Sequence, residues 1–199
     1  MATAGPAWTF RPNGGAAAWT CRLAWAQAAL AAIALALNLA GIVVEVMPGL
    51  QTLLFIGSGI VSLRWLYVAS ANARAMGATD LMGGPAMAVI WYFVPLLNLG
   101  MPYLVMRDLW RASANPRDWQ GQPAPPLLIL WWAAWLVFYL GLSAGVQLML
   151  EYDPDIAAFG TSLLTAANIG FIICALLFAR IVDSIQTLQD QTAPAQAFR

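Results

Sequence analysis

The 199-residue chain is 61% hydrophobic and only 9% charged, and its formal net charge is zero. A soluble domain carries roughly 25% charged residues, so a water-soluble fold is excluded, and without a basic field so is nucleic-acid binding. The chain has no histidine, which removes the commonest metal and haem ligand and the usual general base. Cys21 and Cys174 lie far apart with no CxxC partner, so neither a zinc site nor a disulfide framework is expected. No cofactor is expected.

Four runs are long and apolar enough to span a bilayer: 23–46, 50–71, 127–150 and 156–182. The first is too long for a signal-peptide core. Residues 1–18 and 190–199 are expected to be flexible ends. Short turns at Met47-Pro48-Gly49 and Tyr152–Asp155 make the four runs two helical hairpins. Asn38, Gln147, Thr161, Thr165 and Asn168 fall inside the runs, where interhelical hydrogen bonding is expected. Gly141 and Gly145 form a GxxxG pair, and Ser58 and Ser62 share that spacing; such pairs mark close helix packing. Trp19, Trp25, Trp110, Trp119, Trp131 and Trp132 suit an aromatic belt.

Every cation is arginine. With the abundant alanine, this suggests a GC-rich bacterial genome, hence a bacterial inner membrane. Arg11, Arg22, Arg74, Arg107, Arg111, Arg117, Arg180 and Arg199 flank the runs, whereas the hairpin turns carry only Glu45, Glu151, Asp153 and Asp155. The positive-inside rule then places both termini and the central region in the cytoplasm.

The segment between the hairpins, 85–113, is apolar but interrupted by Pro95, Asn98, Gly100 and Pro102. Its ends must lie on one side if the arginines do, so a re-entrant or interfacial segment is expected rather than a fifth span. Pro85–Leu97 would be a short helix of 13 residues. From Pro102 onward, Pro102, Val105, Met106, Leu109 and Ala112 share one side at 100° steps, opposite Arg107, Asp108 and Arg111. That pattern suits an amphipathic helix at the membrane surface. The expected fold is therefore an all-α polytopic membrane bundle, a single domain over residues 1–199.

Three groups of side chains are candidate sites. Arg64 lies about nine residues, or roughly 13 Å, inside the cytoplasmic end of its helix. It snorkels to the interface, pairs with Asp108 or Asp183, or contacts a ligand or ion directly. Arg74, Arg107 and Arg111, with amides near Gly84 and Met101, form a candidate contact for an anionic lipid or other ligand. Asp80, Asp108, Asp118 and Asp183 match no metal-ligand spacing.

The order Arg64-Trp65-Leu66-Tyr67, Asn72-Ala73-Arg74-Ala75 and Gly77 resembles the domain-of-unknown-function 4328 family of bacterial membrane proteins. So do Pro85, Ala88-Val89, Trp91-Tyr92-Phe93-Val94-Pro95, Leu97-Asn98-Leu99, Pro102-Tyr103, Met106 and Leu109-Trp110-Arg111-Ala112-Ser113. Val68 departs from the pattern, standing where a basic residue is expected. The resemblance implies a multi-helix membrane protein and no particular activity.

No GxSxG, HExxH or P-loop occurs, so no enzyme activity is expected. The expected role is a non-catalytic scaffold or accessory subunit. Its partners would be membrane lipids and either other membrane-protein helices or a second copy of itself. The alternative is a small transporter, channel or anionic-lipid-binding protein that uses segment 85–113.

Overall fold

The computed structural model describes residues 8–197, with side chains described to residue 193. Within them the regular structure is helical: α1 (Gly14–Leu39), α2 (Met47–Ala75), α3 (Pro85–Ile90), α4 (Met101–Ala114), α5 (Pro126–Met149) and α6 (Pro154–Ala197). Single 3-10 turns occupy Leu97–Leu99 and Pro116–Asp118. Helices α1, α2, α5 and α6 are each long and apolar enough to cross a membrane.

The helix ends follow local chemistry. Gly41 and Gly77 adopt positive φ just past α1 and α2. At the first, Ile42 N–H donates to Leu37 O and Gly41 N–H to Asn38 O; at the second, Ala78 N–H donates to Ala73 O and Gly77 N–H to Arg74 O. Both are Schellman closures, which suit glycine. Helix α1 therefore stops seven residues short of the expected Val46. Met47-Pro48-Gly49 is not a turn: it forms the first turn of α2, where proline's missing N–H costs little. Asp153 Oδ1 caps α6 by accepting from Asp155 N and Ile156 N, at 2.9 and 3.3 Å.

The ends differ from expectation as well. Residues 1–7 and 198–199 lie outside the described residues. Helix α1 already begins at Gly14, and α6 continues well past Val182. Arg11 and Asn13 are hydrogen-bonded to α2.

The chain divides into two compact units. One takes the described residues of 1–20, 59–128 and 181–199; the other takes 21–58 and 129–180. In the second unit α5 and α6 meet through glycine. A Cβ on Gly141 would lie 3.1 Å from Ala167 Cβ, one on Gly145 2.9 Å from Leu164, and one on Gly170 3.1 Å from Ala134 O. The GxxxG pair is thus used in internal packing. Beside it the rings of Phe55, Phe171 and Phe138 follow one another at 6.2 and 4.8 Å. Trp131 stacks on Phe178 at 5.9 Å. Trp131 and Trp132 are buried, so they serve this aromatic core rather than a surface belt; Trp19 and Trp25 are exposed.

Helix–helix hydrogen bonds in this unit include those of Gln27, whose Nε2 donates to Ser58 Oγ and Leu54 O, and of Cys21, whose Sγ donates to Ala179 O at 3.4 Å. Thr161 and Thr165 instead donate to carbonyls of their own helix.

Candidate functional site

The other unit gathers the polar chemistry. Amide side chains tie its elements together. Asn72 on α2 is fully buried; its Oδ1 accepts from Arg11 N at 2.9 Å and its Nδ2 donates to Arg11 O at 2.8 Å. The carboxamide thus pairs with the backbone as a neighbouring strand would. Asn13 Nδ2 donates to Trp65 O at 3.0 Å. Gln189 on α6, with 0% exposure, donates to Ala69 O on α2 at 2.9 Å and to Ser113 Oγ on α4 at 3.1 Å. Thr192 donates to Ser113 O at 3.1 Å. Three helices are pinned at one point by a residue that lies beyond the expected end of the last span at Val182. The available signal was its register: Gln186 and Gln189 share a helical face with Val182 and Ile185, all four of them buried.

Helix α4 buries the predicted stripe: Pro102, Val105, Met106, Leu109 and Ala112 are inside the protein. Its apolar side is therefore occupied by protein packing rather than offered to a membrane surface. Asp108, expected on the open side with the arginines, is buried too. The reason is that α2, the loop at Leu81–Met82 and α3 close over it. Ser70, Arg74, Leu81, Met82, Ala88, Val105, Asp108 and Leu109 line one small cleft of about 20 Å³, enough for one water.

Asp108 Oδ1 receives Arg107 Nε at 2.9 Å and Nη2 at 2.8 Å. Neither Arg64–Asp108 nor Arg64–Asp183 forms a pair. Arg64 is exposed, with no ion pair among the described residues, as snorkelling requires. Arg64→Ala is accordingly expected to change stability in detergent by less than about 0.5 kcal/mol, read by thermal unfolding of the purified protein.

The three candidate ligand arginines have separate fates. Arg74 Nη1 donates to Ser70 O and Oγ at 2.8 and 2.7 Å, and Nη2 donates to Gly83 O. This anchors the loop before α3 to α2. Arg107 holds Asp108. Arg111 lies one turn beyond Arg107, and its Nε is buried without an acceptor. Gly84 precedes a helix of only six residues, too short to offer an N-terminal anion site. Among the described residues no group of carboxylates or thiols is placed to hold a metal ion.

The break in the segment is sharper than expected. Helix α3 ends at Ile90 rather than Leu97: Pro95 has no N–H to give Trp91 O, and its ring would clash with that carbonyl if the helix ran on. Trp91, Tyr92, Phe93, Leu97, Asn98, Leu99 and Gly100 each donate their backbone N–H to a carbonyl within the segment, at 2.8–3.2 Å. Leu96 is held at φ 65°, a conformation unfavourable for a branched side chain. Gly100 and Pro102 start α4. The result is a tight turn whose amides are largely met by carbonyls of α3 or of the turn, while Ile90, Phe93, Leu96 and Leu97 stand exposed, Leu96 by 81%.

A comparison with protein families matches residues 29–187 to the family described as Domain of unknown function (DUF4328). No curated protein and no solved structure matches the chain.

Proposed function

Because the chain belongs to the DUF4328 family, whose description assigns no activity, we propose its role from geometry: a non-catalytic integral membrane protein serving as scaffold or accessory subunit. Four helices cross a bacterial inner membrane as two hairpins. Both termini are cytoplasmic, and α3, the turn and α4 enter and leave on that same side.

One observation carries the reading. Most amides of the turn 91–100 are met by carbonyls of α3 or of the turn itself, and the turn projects apolar side chains. Backbone outside a helix survives in an apolar medium only when its polar groups are met. An apolar tip of that kind suits burial against lipid and a partner's helices, and α4 fixes its base. The length of α3 supports the same placement. Six residues rise about 9 Å, far short of the ~30 Å hydrocarbon core.

A photoreactive residue replacing Phe93 tests the proposal in native membranes. It is expected to join the chain to a protein at a defined adduct mass. The same group at Leu130, an exposed apolar position on α5, is expected to label lipid. Lipid adducts alone at both positions would contradict the scaffold reading.

A further inference from the structure

We propose that residues 77–84 form a strap with two positions over the cleft between α2 and α4, and that Arg74 is its latch. In the closed position Arg74 Nη2 donates to Gly83 O. In the open one it turns to Asp108 Oδ2 and lets the strap go.

The first argument is a pair of opposite charges that share a cleft without meeting. Arg74 and Asp108 both line the space of about 20 Å³, room for one water, yet among the described residues no ion pair joins them. Arg74 gives its N–H groups to neutral oxygens only: Nη1 to Ser70 O and Oγ, Nη2 to Gly83 O. Asp108 is only 6% exposed, and both bonds from Arg107 end on its Oδ1. Among the described residues Oδ2 has no hydrogen-bond partner. A bond between two ions is stronger than one from a cation to a carbonyl. Arg74 therefore has a second acceptor, across the cleft from the one it holds.

The second argument is how lightly the strap is held. None of the amides of residues 79–84 donates to a carbonyl among the described residues. Trp119 Nε1 anchors the near end by donating to Thr79 O at 2.8 Å. The far end depends on Arg74, because Gly83 has no side chain to pack and Met82 is 38% exposed. A segment with so few bonds opens at low free energy. Opening lifts Leu81 and Met82 from Ser70, Ala88 and Leu109, their neighbours around the cleft. Gly84 leads directly into α3, so release of the strap also frees the start of that helix.

The test reads strap opening from the maleimide labelling rate of Ala88→Cys, in the full chain in detergent and without Cys21 and Cys174. Ala88 is 2% exposed and lines the cleft beside Leu81 and Met82, so the reagent reaches it only through local opening. Asp108→Asn is expected to slow labelling about fivefold, the gap between a bond to a charged acceptor and one to a neutral acceptor. A carboxylate that merely braced the fold would do the reverse, since its loss would loosen the cleft. Arg74→Gln drops the latch and is expected to speed labelling, and adding Asp108→Asn is expected to change nothing further. Arg107→Gln leaves Asp108 free for Arg74 and is expected to speed labelling, an effect absent when Arg74 is also replaced. Ala17→Cys, at a position 4% exposed on α1, is expected to label at one rate in every background, which separates strap opening from loosening of the whole unit. Faster or unchanged labelling at residue 88 in Asp108→Asn, or slowing that persists without Arg74, would overturn the latch. If Asp108→Asn does not fold, Arg107→Gln decides alone: unchanged labelling at residue 88, or the same acceleration without Arg74, overturns it.

Discussion

Gly160→Ala is expected to destabilise the protein by about 3 kcal/mol, the upper end of what overpacking a tight contact costs. A Cβ at this position would stand 2.7 Å from the carbonyl carbon of Leu148 and also meet the amide nitrogen of Met149. These are backbone atoms at the end of α5, which no rotamer change can move aside. Helix α6 must shift, and the contacts at Gly141, Gly145 and Gly170 shift with it. Gly160→Leu is expected not to yield a folded protein. Gly57→Ala is the control: a Cβ there meets nothing within 4 Å, and alanine in an open helical position gains up to about 1 kcal/mol. Thermal unfolding in one detergent compares the three variants. Equal stability of Gly160→Ala and Gly57→Ala would mean that α5 and α6 do not meet at their glycines.

Asn72→Ala is expected to cost about 2–3 kcal/mol. It removes two hydrogen bonds worth roughly 1 kcal/mol each and leaves the N–H and C=O of Arg11 without their partner. The loss has a location as well as a size. Proteolysis or hydrogen exchange is expected to rise first around residues 8–13, because Asn72 and Asn13 are what hold that stretch to α2. Asn72→Asp tests the geometry. The carboxylate still accepts from Arg11 N but cannot donate to Arg11 O, and it buries a charge, so it is expected to be at least as harmful as alanine. Protection of residues 8–13 that survives both changes would show that the clamp contributes nothing.

The parts of this molecule that were legible in its sequence are those governed by period and by local chemistry. The stripe from Pro102 to Ala112 follows the helical repeat, and its members are the buried residues of α4. Pro85 and Pro102 stand in the first turns of helices, which tolerate them, whereas Pro154, expected in a turn, opens α6. Gly141 and Gly145 pack internally, as their spacing suggests. What was not legible depends on contacts between distant residues. Hydropathy ended the last span at Val182, where Asp183, Ser184 and Gln186 begin to dilute the run. The helix continues because Gln189 finds acceptors on α2 and α4, and no local property of α6 announces that.

The same limit explains Asp108. A helical wheel puts it beside Arg107 and Arg111, on the open side of an isolated helix. It cannot foresee that Leu81, Met82 and α3 fold over that edge. With Arg107 adjacent, Asp108 has no need of Arg64, and Arg64 is left at the surface. The break at 91–100 was visible in Pro95, Asn98 and Gly100, but not that carbonyls of α3 and of the turn would meet its amides and leave Phe93 and Leu96 outward.

The central claim is that the chain crosses the membrane four times and that α3, the turn and α4 enter and leave on one side. Single cysteines at Asp80, Arg117 and Asp153, all exposed, test it directly in a variant lacking Cys21 and Cys174. A membrane-impermeant maleimide applied from either face of sealed vesicles is expected to reach residues 80 and 117 from the same face and residue 153 from the other. Labelling of residues 80 and 117 from opposite faces would make the segment a fifth crossing and contradict the account.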